Sequence, residues 1–339
     1  MSRRPAGIRS STAPTLIDVA RVAGVSPITV SRALGRPEVV TDATRKRVLE
    51  AVRATGYVPN LAAGSLASSR SRLVAIFLPT IANSIFADTV QALTDHLAAV
   101  GYQTLLGLTG YRPEQEEALL EAVLGRRPDG IVLTGTEHTQ ASRERLARVG
   151  IPLVEAWDLC ERPLDMLVGF SHEAVGQAVA TYLLGKGYRR VSVVGIDDPR
   201  GLRRYRSLVA ALEGRLEAPV SAQLLPAPAT LAVGREGLAR LLQAGAAGEV
   251  VVCSSDTLAQ GVMAEAASRG LRVPEDLSVT GFDDTSASLT SWPPLTTVRQ
   301  PLEEMGRTVI DALAQDARDT PEFRFTLIER GSSGPPAQA

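Results

Sequence analysis

Cysteine is scarce: Cys160 and Cys253 are the two in the chain. They lie far apart in apolar surroundings, which points to buried free thiols of a cytosolic protein and away from a disulfide. Histidine is equally sparse, and His96, His138 and His172 stand in no metal-ligand spacing, so no zinc site is expected. Aromatic residues make up only 4% of the chain, too few for a surface that stacks single-stranded bases. The longest apolar runs have strand length, which leaves no membrane span. The opening MSRRPAGIRSSTAP lacks the apolar segment of a secretory signal and reads as a flexible basic arm over residues 1–14. There is no glycine-rich phosphate loop, no serine nucleophile elbow and no metal cluster, so an enzyme is not expected, and neither a cofactor nor a metal is implied.

What remains is ordinary globular composition, 45% hydrophobic and 22% charged over 339 residues, enough for a small domain and a large one. The net charge of −1 conceals an uneven distribution. Residues 1–72 carry twelve Lys and Arg against four Asp and Glu, a surplus of eight positive charges, and the remainder carries a surplus of nine negative ones. A cationic leading segment on an acidic body points to a polyanion partner at one end only.

The cationic segment contains TLIDVARVAGVSPITVSRALG, residues 15–35. Thr15 is placed to N-cap a helix, with Asp18 three residues on completing a capping box. Leu16, Val19, Ala20 and Ala23 give that helix one apolar face, and Gly24 ends it. Ser26 caps a second helix, Pro27 sits in its first turn, and Gly35 stops it. Val30, Ala33 and Leu34 face inward, which leaves Ile28, Thr29, Ser31 and Arg32 outside. Two short helices joined by a glycine turn match either a helix-turn-helix, whose second helix enters the DNA major groove, or an ordinary helical hairpin. A third helix follows over DATRKRVLEAVRATG, capped by Thr41, with Val48, Leu49 and Val52 as its core stripe and a basic outer face. GYVPN and LAAGSLASSR come next, and the latter is a small-residue helix too short to be stable alone.

The order DVA, AGVS, TVSRAL, a third helix, GYVPN and a leucine-bearing short helix resembles the lactose-repressor family of bacterial regulators. The resemblance implies a helix-turn-helix over 15–60 and a hinge over 61–72, with Leu66 wedged into a base step of the minor groove, bending DNA at a cost of a few kcal/mol of unstacking. Many relatives carry Arg after the PN pair, where this chain has Leu61. On the second helix, Pro27 and Ile28 are expected to touch base edges through apolar contacts. Thr29, Ser31 and Arg32 are expected to fix the protein mainly on phosphates. Thr15, Ser26, Asn60 and Ala63 complete the expected DNA-contacting set.

From Leu73 the texture changes to apolar strands interleaved with helices, as in LVAIFLP, DGIVLTG, VSVVGID and EVVVCSS. This predicts parallel sheets covered on both faces, in more units than one compact sheet holds, and so two lobes. One helix is expected to begin near Arg203. Ligands of open parallel sheets bind beyond the carboxyl ends of the strands, which directs attention to residues 79–86, 134–138, 157–158, 196–206, 254–256 and 282–285.

VGFSHEAVG, SSDTLAQG, GFDDT and PPLTTVRQP resemble the periplasmic-binding-protein-like core of the same family. The implied fold is an N-terminal all-α helix-turn-helix domain plus an α/β core of two doubly wound parallel-sheet lobes. The implied core runs from 73 to 331, with lobe crossings near Phe170, Val298 and Pro321: an N-lobe of about 73–170 and 299–320, and a C-lobe of about 171–298 and 321–331. Residues 332–339 are expected to be a disordered tail. GYQTLLGLTGYRPEQEEALLEAVL, DGIVLTGTEHT and PLDMLVGF resemble the gluconate-operon repressor branch, which senses gluconate and related sugar acids. In IDDPRGLRRYRS the glycine of that branch's Arg-x-x-Gly pair is replaced by Ser207.

For the effector, Arg204 is either a guanidinium fork for a carboxylate or sugar hydroxyls, or a surface cation in a basic run. Asp283 is a hydroxyl acceptor or a turn aspartate, and Asp158, Ser255 and Asp256 are weaker cases of the same kind. Phe86, Trp157 and Phe170 either stack on a sugar or belong to the core. Asn83 and His138 are candidates for polar contacts. The expected protein is therefore a cytoplasmic, nucleoid-associated repressor of a carbohydrate-utilisation operon, dimeric on palindromic double-stranded DNA and released by a sugar acid. The alternatives are a repressor responding to a neutral sugar or purine, and a sugar-binding transport protein. The missing signal segment and the basic head argue against the last.

Overall fold

The computed structural model describes residues 14–58, 70–315 and 322–336. The chain divides into two compact units, Met1–Ser71 and Arg72–Ala339. The expected basic arm, the hinge segment with Asn60, Ala63 and Leu66, and the third crossing at Pro321 lie outside the described residues.

The small unit contains α1 (Leu16–Ala23), α2 (Pro27–Gly35), a 3-10 turn over Pro37–Val39 and α3 (Asp42–Thr55). The Asp18 carboxylate accepts from both the N–H and the hydroxyl of Thr15, at 2.9 and 2.7 Å, and so ties off the start of α1. Ser26 accepts from the Thr29 N–H at 3.2 Å, and Gly24 and Gly56 stop α1 and α3 in the left-handed conformation. Val19, Ala20, Ala23, Val30, Ala33, Val48 and Ala51 form the core, with Val52 and Tyr57 packed against it. The expected core stripe of α3 is therefore corrected at one position. Leu49 is exposed, and Ala51 takes its place, because the helical repeat puts positions 48, 51 and 52 on one face and 49 beside it.

The N-lobe of the large unit contains β1 (Leu73–Leu78), α4 (Ser84–Ala99), β2 (Gln103–Leu108), α5 (Pro113–Leu124), β3 (Gly130–Thr134), α6 (Gln140–Val149), β4 (Leu153–Ala156) and β5 (Met166–Val168). Its five strands are parallel in the order β2-β1-β3-β4-β5, with Ile76 opposite both Leu106 and Val132. The C-lobe contains α7 (His172–Lys186), β6 (Val191–Ile196), α8 (Pro199–Leu212), β7 (Ser221–Leu225), α9 (Leu231–Gln243), β8 (Val250–Cys253), α10 (Asp256–Ser268), β9 (Ser278–Thr280) and α11 (Ser286–Thr290), with strand order β7-β6-β8-β9. Both sheets are covered on both faces, so β1 is apolar throughout, β6 is apolar except for Ser192, and both are almost wholly buried. The strand order reverses at β1 in one lobe and at β6 in the other. These switch points open the crevices into which the following loops project.

The last crossings are made by β10 (Thr297–Arg299), antiparallel to β11 (Thr326–Ile328). Between them α12 (Leu302–Gln315) returns to the N-lobe and packs on α4, β4 and β5. The first crossing passes Gly169, where a Cβ would stand 2.1 Å from the Asp158 carbonyl oxygen, so the strands can meet there only without a side chain.

Two further expectations are corrected. Helix α8 begins at Pro199, not near Arg203: Asp198 caps it by accepting from Gly201 N–H at 3.1 Å, and proline occupies the first turn. The tail is built into the C-lobe as far as Gly334, with Ser332 and Ser333 buried. Ser332 Oγ donates to the Val279 carbonyl at 2.6 Å and accepts from Thr296 N–H at 2.8 Å. Ser333 Oγ pairs with the Tyr182 hydroxyl at 2.7 Å. These small hydroxyls complete the edge of the sheet beside β9, which composition alone does not reveal.

Candidate functional site

In the small unit, α2 presents Ser26, Pro27, Ile28, Ser31 and Arg32 to solvent, with Thr29 half-buried. Ile28 is 64% exposed, an apolar side chain with no packing role within this unit. The Thr29 hydroxyl is 2.9 Å from Ser26 Oγ, so part of its hydrogen-bonding capacity is spent on the cap. Thr15 is exposed and bonded to Asp18, whose carboxyl is held below its ordinary range chiefly by that hydroxyl. One helix face thus offers apolar, hydroxyl and guanidinium groups together, the mix that base edges and phosphates require.

In the large unit, the carboxyl ends of the strands converge on a cleft between the lobes with about 550 Å³ of empty space, part of it open to solvent. That is within the range of small-molecule sites. Asn83, Phe86, Trp157, Phe170, Arg204, Ser255 and Asp283 line it, as expected from the sequence. So do Tyr111, His172, Asp198, Arg200, Phe282 and Gln300, which sequence reasoning did not assign. A second crevice of about 650 Å³ adjoins it through the shared residues Tyr111, Asp198 and Arg200.

Local structure explains the placement. Asn83 caps α4, with Oδ1 3.4 Å from the Ile85 N–H, and Thr257 of the C-lobe approaches the same oxygen at 3.4 Å. On α8, Arg200 and Arg204 are four residues apart and share the face toward the cleft. Helices α7 and α8 approach closely because position 176 is glycine; a Cβ there would lie 2.5 Å from the Arg204 carbonyl oxygen. Tyr111 follows Gly110 with a second left-handed residue (φ 62° and 59°), and this turn carries its ring against the C-lobe core. Burial pushes its hydroxyl up to about 12, against the opposing effect of Arg200. Tyr111, Trp157 and Asp283 are three of the six non-glycine residues with positive φ among the described residues, so backbone strain is concentrated at the cleft.

The cleft is organised around a polar relay. His172 Nε2 lies 3.0 Å from the Trp157 carbonyl oxygen, and its Nδ1 lies 2.9 Å from Arg204 NH1. A carbonyl and a guanidinium on opposite sides fix the neutral tautomer, with the proton on Nε2. Burial first, and Arg204 second, hold this histidine well below its usual range. Arg204 NH2 donates to the Ser254 carbonyl at 3.1 Å, and the guanidinium stacks 3.9 Å from the centroid of the Phe282 ring. Phe170 packs edge-on against His172 at 4.8 Å. Burial and then Asp256 push Asp283 well above the carboxylate range, with Arg204 opposing. Trp157 Nε1 and Gln300 Oε1 are both buried and meet no partner among the described residues. A buried donor and acceptor left open at one cavity are the groups a ligand would satisfy.

Three expected effector residues are placed elsewhere. Asp256 is wholly buried behind the cleft, where it accepts from Thr285 N–H at 2.9 Å, Thr297 Oγ1 at 2.6 Å and the Ser288 hydroxyl. It organises the GFDDT loop from within. Asp158 borders the second crevice and accepts from Leu159 N–H at 2.8 Å, Thr136 Oγ1 at 3.2 Å and Arg203 NH2 at 2.5 Å. This last bond joins the N-lobe to α8, and Arg203 NH1 adds a bond to the Leu159 carbonyl at 3.3 Å.

His138 is enclosed between Glu116, 2.8 Å from Nδ1, and Glu155, 3.3 Å from Nε2. Burial alone would lower it, but the two carboxylates prevail and raise it to about 9. It therefore serves N-lobe cohesion rather than acid recognition. Below pH 6.5 both the folded and unfolded chains carry its proton. Above that only the folded state does, so its contribution is lost as pH rises from 6.5 to about 9. Wild-type Tm should fall across that window, by an amount corresponding to about 3 kcal/mol, and His138→Gln should lack the slope. Thermal unfolding at constant ionic strength measures both.

The family models that match are the bacterial regulatory proteins of the lacI family, over residues 15–60, and a periplasmic-binding-protein-like domain, over residues 180–333. The chain is 37% identical to the HTH-type transcriptional regulator GntR of Pseudomonas aeruginosa, covering 96% of this chain and 97% of that protein. It is 32% identical to the HTH-type transcriptional regulator GntR of Escherichia coli strain K12, covering 94% and 98%. A crystal structure of a LacI-family transcriptional regulator from Silicibacter pomeroyi superposes with a TM-score of 0.84 at 30% identity, covering 94% of this chain and 99% of that one.

Proposed function

The chain belongs to the lacI family of bacterial regulatory proteins and is a DNA-binding transcriptional regulator, and from that premise we propose that it is a repressor of a carbohydrate-utilisation operon, released from a palindromic operator by a sugar acid of the gluconate class. The reading of an effector site rests above all on the open donor and acceptor, Trp157 Nε1 and Gln300 Oε1, in a cleft whose two walls belong to different lobes. The acid class is supported by the resemblance of residues 101–124 to gluconate-operon repressors, and by the GntR name that two relatives bear.

The mechanism follows from what spans the cleft. Arg203 reaches Asp158, Thr257 reaches Asn83, and Arg200 lies over the Phe86 ring at 5.6 Å. A ligand that touches both walls binds one lobe arrangement more tightly than another and shifts their populations. Only that difference in affinity is transmitted to the DNA-contacting unit. Two copies of the chain present two α2 helices to the two halves of a palindrome. Within each half, Pro27 and Ile28 meet base edges while Ser26, Thr29, Ser31 and Arg32 hold the backbone.

The experiment is operator binding by the full chain, on a duplex selected by it from a random pool, titrated with D-gluconate, its phosphates, neutral sugars and purines. Gluconate is expected to weaken binding by about tenfold or more, and the neutral sugars and purines to leave it in place. In footprints, Ile28→Ala should change the preferred half-site. Release by a purine and not by any sugar acid would overturn the effector assignment, and an unchanged half-site would overturn the role of Ile28.

A further inference from the structure

The two arginines that share the cleft face of α8 are in different situations. Arg204 has each terminal nitrogen committed to a protein acceptor, NH1 to His172 and NH2 to the Ser254 carbonyl, and one face of its guanidinium is covered by Phe282. Arg200, one turn earlier, lines the same cleft and makes no hydrogen bond or ion pair among the described residues. Its ring contact is with Phe86, on the opposite lobe, at 5.6 Å. It also stands at the junction of the two crevices.

The neighbouring carboxylates do not neutralise Arg200 by direct contact. One Asp198 oxygen is spent on the cap of α8, and Asp158, which borders the second crevice together with Arg200, is held by Arg203. A guanidinium stacked on an aromatic ring and otherwise unpaired is a preorganised fork for a carboxylate, since its five donors point outward and its orientation is already restricted.

Building on the sugar-acid reading above, we propose that Arg200, and not Arg204, reads the negative end of the effector, so that the cleft selects an acid over the corresponding alcohol. Arg204 is a positioning residue that holds His172, Phe282 and through them Trp157. Because Arg200 belongs to the C-lobe and its ring partner to the N-lobe, engaging the carboxylate at Arg200 also bears on the contact between the lobes. Recognition of charge and choice of lobe arrangement are then one event.

The test is calorimetric titration of the full-length protein with D-gluconate and with D-glucitol, which has the same carbon chain with an alcohol in place of the carboxylate. Wild-type protein should prefer gluconate. Arg200→Gln should weaken gluconate binding by roughly thirtyfold, the size expected for a charge-assisted pair, so that the acid-over-alcohol ratio collapses. Arg200→Lys, which keeps the charge and loses the fork, should retain part of the ratio. Circular dichroism and thermal unfolding confirm that each variant is folded. A wild-type preference that survives in folded Arg200→Gln overturns the role of Arg200 and leaves the sugar-acid reading standing. A wild-type protein that does not distinguish the two ligands overturns both.

Discussion

Arg204→Met is expected to abolish the effector response. The substitution keeps the apolar stem of the side chain and removes three things: the donor to His172 Nδ1, the donor to the Ser254 carbonyl, and the cation over Phe282. His172 is 2% exposed, so its Nδ1 has no water to replace the lost bond. An orphaned buried acceptor costs about 1–3 kcal/mol, and His172 Nδ1 becomes one. Asp283, already pushed up by burial, loses the cation that opposes that push. The consequence for binding is loss of geometry rather than of one contact, so affinity should fall by up to about a hundredfold for acid and alcohol alike, the upper end of the cost of one such orphan. Calorimetry with gluconate and glucitol checks this. A variant that loses only the acid would transfer the charge-reading role to Arg204. The acid limb of stability is a second readout. His172 titrates well below 6.5 in the folded protein, so wild-type stability is full above that pH and declines below it, where the unfolded chain takes up the proton first. Removing the Arg204 cation should lessen that decline.

The second large effect is on stability. Asp256→Ala removes the acceptor for Thr285 N–H, Thr297 Oγ1 and the Ser288 hydroxyl at a site with no exposure to solvent. Burial raises this carboxyl, and the hydrogen bonds from Ser288, Thr297 and Thr285 counter it. The donors cannot turn to water, so about 3 kcal/mol is expected to be lost. In a unit of this size that lowers Tm by roughly 6–12 °C. The same measurement separates two roles for one residue. If Asp256 met the effector directly, the variant would keep its Tm and lose affinity. As the anchor of the GFDDT loop, it should lose Tm first, with ligand binding reduced only as far as Asp283 is displaced.

Much of the site was legible because strand ends are legible. Asn83, Phe86, Trp157, Phe170, Arg204, Ser255 and Asp283 all follow apolar strands or begin the helices after them, and the cleft gathers all seven. Arg200, Asp198 and Phe282 lie inside the strand-end windows without a signal of their own, and a run of arginines gives no register until the helix start is known. Asp198-Pro199 was the available signal for that start. Tyr111 follows the end of β2 and was reachable by the same rule. His172, the first residue of α7 after β5, was reachable too, but its neutral tautomer was not, because that depends on a carbonyl and a guanidinium distant in the chain. His138 and Asp256 lie off the cleft and Asp158 borders only the second crevice for one reason: which way a polar residue at a strand end points is not set locally. The decision belongs to partners distant in sequence, Glu116 and Glu155 for the first, Arg203 for the second, Ser288 and Thr297 for the third.

The amino-acid order by itself determined the elements and their grouping. Capping residues, glycine stops and apolar period are local quantities, so the three-helix unit and the parallel α/β lobes follow from them, as does the surplus of positive charge at one end. Only the tertiary structure decided which polar groups are spent and which are open. Hydrogen bonds and ion pairs saturate, and a side chain's capacity to meet a ligand is whatever its neighbours in space have left it. Arg204 and Arg200 are the same residue type one helical turn apart. What distinguishes them is that His172 and Ser254 reach only one of the two.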